Sequence, residues 1–167
     1  MGKMCKIDIH ADDYCLSPQT SEDILICIRE GKLDSISVMT NMSCYESCAL
    51  ELLKEKNKVK KSLKLSVHLN FMEGHCLARK EDVPDLVDDR GYFNISWGNL
   101  FLWNYSPNRY MHIKKQLKAE IKAQTEKFLT MFGQDQLLRF DSHQHTHMIP
   151  ILSLIHISEP TRLRRIS

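Results

Sequence analysis

The chain reads as an α/β protein, an incomplete TIM-like (β/α) barrel of parallel strands, on three observations. Strand-like segments alternate with helical ones four times, which is the pattern that parallel βα units require because a parallel strand is reached only through a crossover. Polar residues able to do chemistry recur at the C-terminal end of each strand-like segment, the end where α/β folds place their sites. The 167 residues fall short of the roughly 250 of a complete barrel, so the barrel is expected to be truncated at its C-terminus.

The first strand is expected at MCKIDIH, Met4 to His10, where apolar and polar residues alternate at period two and lead into the polar turn ADDYCLSP. A helix follows. Ser17 is its N-cap, Pro18 its first residue, Ile24, Leu25 and Ile28 its apolar stripe, and Gly31 its stop. SISVMTN, Ser35 to Asn41, is the second strand, and YESCALELLKEKNK from Tyr45 an amphipathic helix running into a solvated, lysine-rich face at Lys54 to Lys61. KLSVHLN, Lys64 to Asn70, is the third strand, with Leu65, Val67 and Leu69 on one face and Ser66, His68 and Asn70 on the other. Phe71 to Pro107 is expected to be a long irregular lid or insertion. Tyr110 to Phe132 returns to a helix that Gly133 ends, and LLRFDSHQHTHMIP supplies the fourth strand and a histidine-bearing turn.

Composition narrows the class. With 43% hydrophobic and 26% charged residues the chain is globular rather than disordered. A formal charge of +2 lacks the dense basic face that nucleic acid or a membrane surface demands. No apolar run approaches the roughly 20 residues of a membrane span, and the start MGKMCKIDIHADD has no secretion-signal core. A cytoplasmic location is the expectation. The six cysteines are scattered without CxxC pairs and read as reduced thiols, Cys44 and Cys48 among them as small buried hydrophobes.

Two clusters carry chemistry. Asp12 and Asp13 are adjacent, so in extended backbone their side chains diverge, and one can hold a cation while the other reaches a water; such a pair also caps turns. In DSHQHTH the spacing of His143, His145 and His147 by two puts all three on one face if the backbone is extended. Neutral imidazoles packed this way are natural ligands for a divalent ion, and Asp141 or a backbone carbonyl can orient a ring from behind. His68 joins them from the third strand. Carboxylate and imidazole donors suit zinc, magnesium or manganese alike. Such a centre serves amide hydrolysis, phosphoester hydrolysis or plain ligand binding. Trp97, Trp103, Tyr92 and Tyr105 offer flat faces for a sugar ring, or pack the long segment against the domain.

Taken in order, HADDYCLSP, ISVMTNM, VHLNFMEG, DRGYF and FDSHQHTHMIP resemble successive motifs of the YdjC-like or ChbG-like carbohydrate deacetylases, whose corresponding segments read NADDFGLSP, TSLMVNM, GLHLNLTEG and DSHxHxHxxP. The resemblance covers most of residues 4 to 151. It implies a metal-dependent hydrolase acting on the N-acetyl groups of amino sugars such as chitooligosaccharides. By it Asp12 is the general base, Asp13, His68 and His143 are the ligands of one divalent ion, and His145, His147 and Asn41 bind substrate. Magnesium is the family's usual ion, and zinc is compatible. A small N-acetylated sugar is the implied partner, without nucleic acid or membrane, and a homodimer is compatible with it. His10 for Asn, Tyr14 for Phe and Cys15 for Gly depart from the pattern. Cys15 is the costly one, because glycine allows a positive φ that cysteine adopts only under strain, so a reshaped first loop is expected. Residues 1–151 are thus expected to be the N-terminal portion of such a domain. From Leu152, LSLIHISEPTR resembles translated sequencing-adapter text, and 152–167 are expected to be a non-native tail.

Overall fold

A computed structural model describes residues 7–58, 62–133 and 138–153. Four parallel strands, β1 (His10–Tyr14), β2 (Ser35–Val38), β3 (Lys64–Leu69) and β4 (Phe140–Ser142), lie side by side in chain order. The helices between them are α1 (Pro18–Arg29), α2 (Tyr45–Lys58), α3 (Trp97–Trp103) and α4 (Pro107–Phe132). The α/β class and the parallel βα order agree with the sequence. Among the described residues the sheet holds four strands and does not close into a barrel. No described helix is long and apolar enough to cross a membrane.

In the sheet, Ile36 stands level with Leu65, and Val38 with Val67. These four, with Leu69, are buried together with Leu25 and Ile28 of α1, Ala49 and Leu52 of α2, and Ile113, Leu117 and Phe128 of α4. Ser17 caps α1 by accepting from the Thr20 amide at 3.1 Å, with Pro18 in the first turn, and α2 runs over the predicted residues. Cys44 lies just ahead of α2 and donates its thiol to the Cys15 carbonyl. Cys15, Cys27, Cys44, Cys48 and Cys76 are all free thiols, and burial pushes those of Cys15 and Cys44 upward. Cys5 and part of the lysine-rich run, 59–61, lie outside the described residues.

The first strand is displaced from its expected place. Among the described residues it occupies His10–Tyr14; of the expected Met4–His10, residues 4–6 lie outside the described residues, and Ile7 and Ile9, whose alternation signalled a strand, are exposed. The apolar anchor is Tyr14, fully buried with its hydroxyl donating to the Cys48 carbonyl of α2 at 2.8 Å. Between Ala11 and Tyr14 the pairing with β2 shifts register, a bulge that holds Asp12 and Asp13. Asp13 has φ +64° and Cys15 φ +74°. Bulges of this kind re-aim side chains, and here the bulge sends two adjacent carboxylates to different partners.

The stretch after β3 is more ordered than an irregular lid. It carries a 3-10 turn at Lys80–Asp82, antiparallel bridges His75–Tyr92 and Val87–Phe93, and helix α3, which Ser96 and Asn99 close with a reciprocal capping pair. Trp103 is buried there, whereas Trp97 stacks on the exposed Phe101, which in turn meets the exposed Tyr105 edge-on. Tyr92 packs edge-on against His75.

A polar stripe on α4 holds this segment in place. Gln116, Glu120 and Gln124 repeat at helical spacing of four and are all buried. Gln116 accepts from the Asp85 amide, Gln124 bonds both the amide and the carbonyl of Asn70, and the Glu120 carboxylate accepts from the Leu77 and Ala78 amides and from the Gln124 side chain. Loop backbone groups withdrawn from water thereby keep their partners. Burial pushes the Glu120 carboxyl upward while these donors pull it back. Glu120→Gln is expected to destabilise the chain by about 1–3 kcal/mol, read by denaturant unfolding, because an amide turns an N–H toward groups that are themselves donors.

Candidate metal centre

Three elements deliver one polar group each to a common point. The β1 bulge turns in Asp13, β3 contributes His68, and the turn after β4 contributes His143. His68 Nε2 lies 3.0 Å from Asp13 Oδ1, and His143 Nδ1 lies 2.8 Å from the same oxygen. The two imidazoles meet edge-to-face at 5.8 Å.

The state of His68 tests whether a cation fits. The ring is 3% exposed, and its Nδ1 lies 2.7 Å from Asp141 Oδ1 and 2.9 Å from the Ser37 hydroxyl. The Ser37 hydroxyl donates to Asp12 Oδ1, so the Nδ1 proton of His68 goes to Asp141. In the neutral ring that leaves Nε2 a bare lone pair. Nε2 is buried without a hydrogen-bond partner although a carboxylate oxygen stands 3.0 Å away. Two acceptors facing each other repel unless something positive lies between them. Ligands bound at about 2.0–2.2 Å to one ion have neighbouring donor atoms roughly 3 Å apart. The donor atoms of Asp13, His68 and His143 all lie within 4.8 Å of one another. Oxygen and imidazole donors of this kind fit a divalent ion of hard to borderline character.

Asp12 has other partners. Its side chain is 55% exposed, and Oδ1 accepts from Ser37 at 3.1 Å and lies 3.1 Å from His10 Nε2. His10 also reaches Asp141 Oδ2 at 3.4 Å, and its Nδ1 lies 2.7 Å from the Ser35 hydroxyl, whose proton goes to Asp8. With its Nδ1 proton on Ser35 and two carboxylates at Nε2, His10 is poised to be an imidazolium, and its pKa is raised, first by the bond to Asp141. Burial acts to raise the Asp141 carboxyl, but bonds from His10 and His68 hold it down at about 2. Asp141 therefore links the two clusters, one oxygen to His68 and the other to His10.

The shared histidine face does not form. The chain leaves the strand at Ser142, and His143–Met148 is a 3-10 turn in which Gln144 and His145 have φ of +52° and +55°. Ser142 closes this turn, its hydroxyl taking the His147 amide at 2.8 Å and pairing with His147 Nδ1 at 2.8 Å. Only His143 therefore reaches Asp13. His145 is exposed and meets His147 edge-on. Asn41, expected to touch substrate, is buried, and its amide bonds the Glu73 carbonyl and the Asn70 side chain. These bonds brace the loop that carries Glu73. His10 and Ser37 were not among the expected site residues. Ser37 was findable, because the alternation in SISV sets it on the face that His68 shares.

The profile of the YdjC-like protein family matches residues 6–162. The chain belongs to the YdjC-like family. Its membership agrees with the ordered motifs, and the match runs into the stretch set apart from 152 onward, of which 154–167 lie outside the described residues. Among relatives, the chain is 28% identical over 147 residues to a carbohydrate deacetylase of Brevibacillus brevis, covering 88% of this chain and 52% of that one. It is 26% identical over 147 residues to a carbohydrate deacetylase of Xenopus laevis, covering 87% and 44%. The chain spans about half the length of the curated relatives it matches. In fold it resembles a structure from Enterococcus faecalis V583 described as a cellobiose-phosphate cleavage protein, with a TM-score of 0.70 at 20% identity, over 90% of this chain and 53% of that one.

Proposed function

We propose that this YdjC-like chain carries a metal-dependent centre for removing N-acetyl groups from amino sugars or chitooligosaccharides. The observation that carries the reading is the meeting of Asp13, His68 and His143, with the buried, unpartnered Nε2 of His68 at its middle. The deacetylase names of its relatives supply the substrate class. Asp13, His68 and His143 would hold one ion, magnesium or zinc. When bound, such an ion polarises a carbonyl and acidifies water.

The chain's own groups do the rest. Asp12 is the general base. Ser37 and His10 hold its Oδ1, and its side chain is 55% exposed, so its second oxygen is the one assigned to take a proton from the attacking water. Asp141 keeps His68 in the tautomer that presents Nε2. His145, exposed on the turn, and His147, half-buried beside it, are assigned to the sugar, and a cytoplasmic location suits this substrate.

Acetate release from N-acetylated chitooligosaccharides, measured beside phosphate release from sugar phosphates on a full-length version of the chain, tests the reading. Acetate without phosphate is expected. Phosphate without acetate would replace it with a phosphoesterase.

A further inference from the structure

We propose that Glu73 is a positioning residue for His143, holding its imidazole in the tautomer that turns a bare Nδ1 toward Asp13; the inference rests on the metal-centre reading above. A neutral imidazole carries one proton, and the group beside each nitrogen decides where it sits. His143 Nδ1 lies 2.8 Å from Asp13 Oδ1 and Nε2 lies 3.4 Å from Glu73 Oε1. With the proton on Nδ1, the ring would donate to Asp13 and neither atom could share an ion. With the proton on Nε2, it points at Glu73 and Nδ1 is free to ligate. Asp141 does the same for His68 with the nitrogens exchanged, taking the proton on Nδ1 and freeing Nε2. Each imidazole of the centre thus has a carboxylate behind it and Asp13 in front, and such outer partners commonly set ring orientation in metal sites.

Glu73 sits in a loop, yet its backbone is fixed on both sides. The Asn70 side chain accepts from the amides of Met72 and Glu73 and donates to the Glu73 carbonyl at 2.8 Å, and Asn41 donates to the same carbonyl at 2.8 Å. Asn70 is itself buried and held by Gln124 of α4. The next residue, Gly74, has φ +77°, and a Cβ there would stand 2.9 Å from the Asn41 carbonyl oxygen. Glycine is required at that point, and the chain turns there so that the Glu73 side chain leaves toward His143. This gives Asn41 and Asn70 a purpose as well. They hold the loop that aims the carboxylate.

The contact is longer than that of Asp141 to His68, and Glu73 is 46% exposed, so its effect belongs at the lower end of the roughly 10–100-fold range typical of outer partners. The test has two arms on the whole chain. With Zn2+ bound, long-range 15N–1H correlation of the histidine rings is expected to show Nε2–H at His143, its ring proton exchanging with water more slowly in the wild type than in Glu73→Ala, with Glu73→Gln, whose carbonyl oxygen still accepts, close to the wild type. In Mn2+ titrations Glu73→Ala is expected to bind about tenfold more weakly, with Glu73→Gln again near the wild type. Equal ring-proton exchange, or equal Mn2+ affinity, in wild type and Glu73→Ala overturns the proposal and leaves the metal centre standing. A wild type that binds no Mn2+ overturns the metal centre itself and the proposal with it.

Discussion

Asp12→Asn is expected to lower deacetylation by about 10²–10⁴-fold, the usual span for loss of a general base, while Mn2+ affinity stays unchanged. The two effects separate because the β1 bulge sends Asp12 and Asp13 to different partners: Asp13 Oδ1 to His68 and His143, Asp12 Oδ1 to Ser37 and His10. An asparagine still accepts through its carbonyl oxygen from Ser37 and His10, so the local geometry survives. Its amide has no basicity with which to take a proton from water. The measurement is acetate release by a full-length version at saturating metal, with affinity measured in parallel. Unchanged hydrolysis would remove Asp12 as the base, and a parallel loss of Mn2+ binding would place Asp12 among the ligands instead.

Asp141→Ala is expected to weaken metal binding by about 10–100-fold without removing a ligand. Asp141 takes the Nδ1 proton of His68 with one oxygen and faces His10 with the other. Without it the His68 proton is free to move to Nε2, where it would point at Asp13 and compete with the ion. Ser37, whose hydroxyl proton goes to Asp12, can still accept from Nδ1 at 2.9 Å, but a neutral hydroxyl is a weaker acceptor than a carboxylate and compensates only in part. Titration of Mn2+ into the variant checks this. Wild-type affinity in Asp141→Ala would mean that the His68 tautomer is set by something other than this carboxylate.

Much of the fold was legible because its signals are local. The Ser17–Pro18 start of α1, the span of α2 and the core of β3 each follow from a cap or a period that the residues carry themselves. What was misread depended on distant partners. The alternation at Ile7 and Ile9 imitates a strand, but Tyr14 wins the position because its ring and hydroxyl have a place under α2. Helix α3 is seven residues long, too short for a period to show, and its cap uses asparagine where a glutamate is the usual sign. The stripe Gln116, Glu120, Gln124 carries no apolar signal of its own. It is buried because the loop opposite offers backbone donors in place of apolar side chains.

The site divides in the same way. Asp13, His68 and His143 could be picked out from residue type and from their places at strand ends, and the structure brings them together. The spacing of His143, His145 and His147 misled, since it assumed an extended backbone where Ser142 folds the chain into a turn. Cys15 stands at φ +74°, the conformation that a glycine takes freely and a cysteine only under strain. His10, noted as a departure from the family pattern, turns out to lie between Asp12 and Asp141, a role that no spacing rule encodes.

Calorimetric titration of the metal-free chain with Mn2+, a hard ion that thiols bind poorly, addresses the ligand set most directly. One equivalent in the wild type, lost in each of Asp13→Ala, His68→Ala and His143→Ala and kept in His145→Ala and His147→Ala, is the predicted result. An equivalent that survives removal of His68 would show that the three side chains do not share an ion.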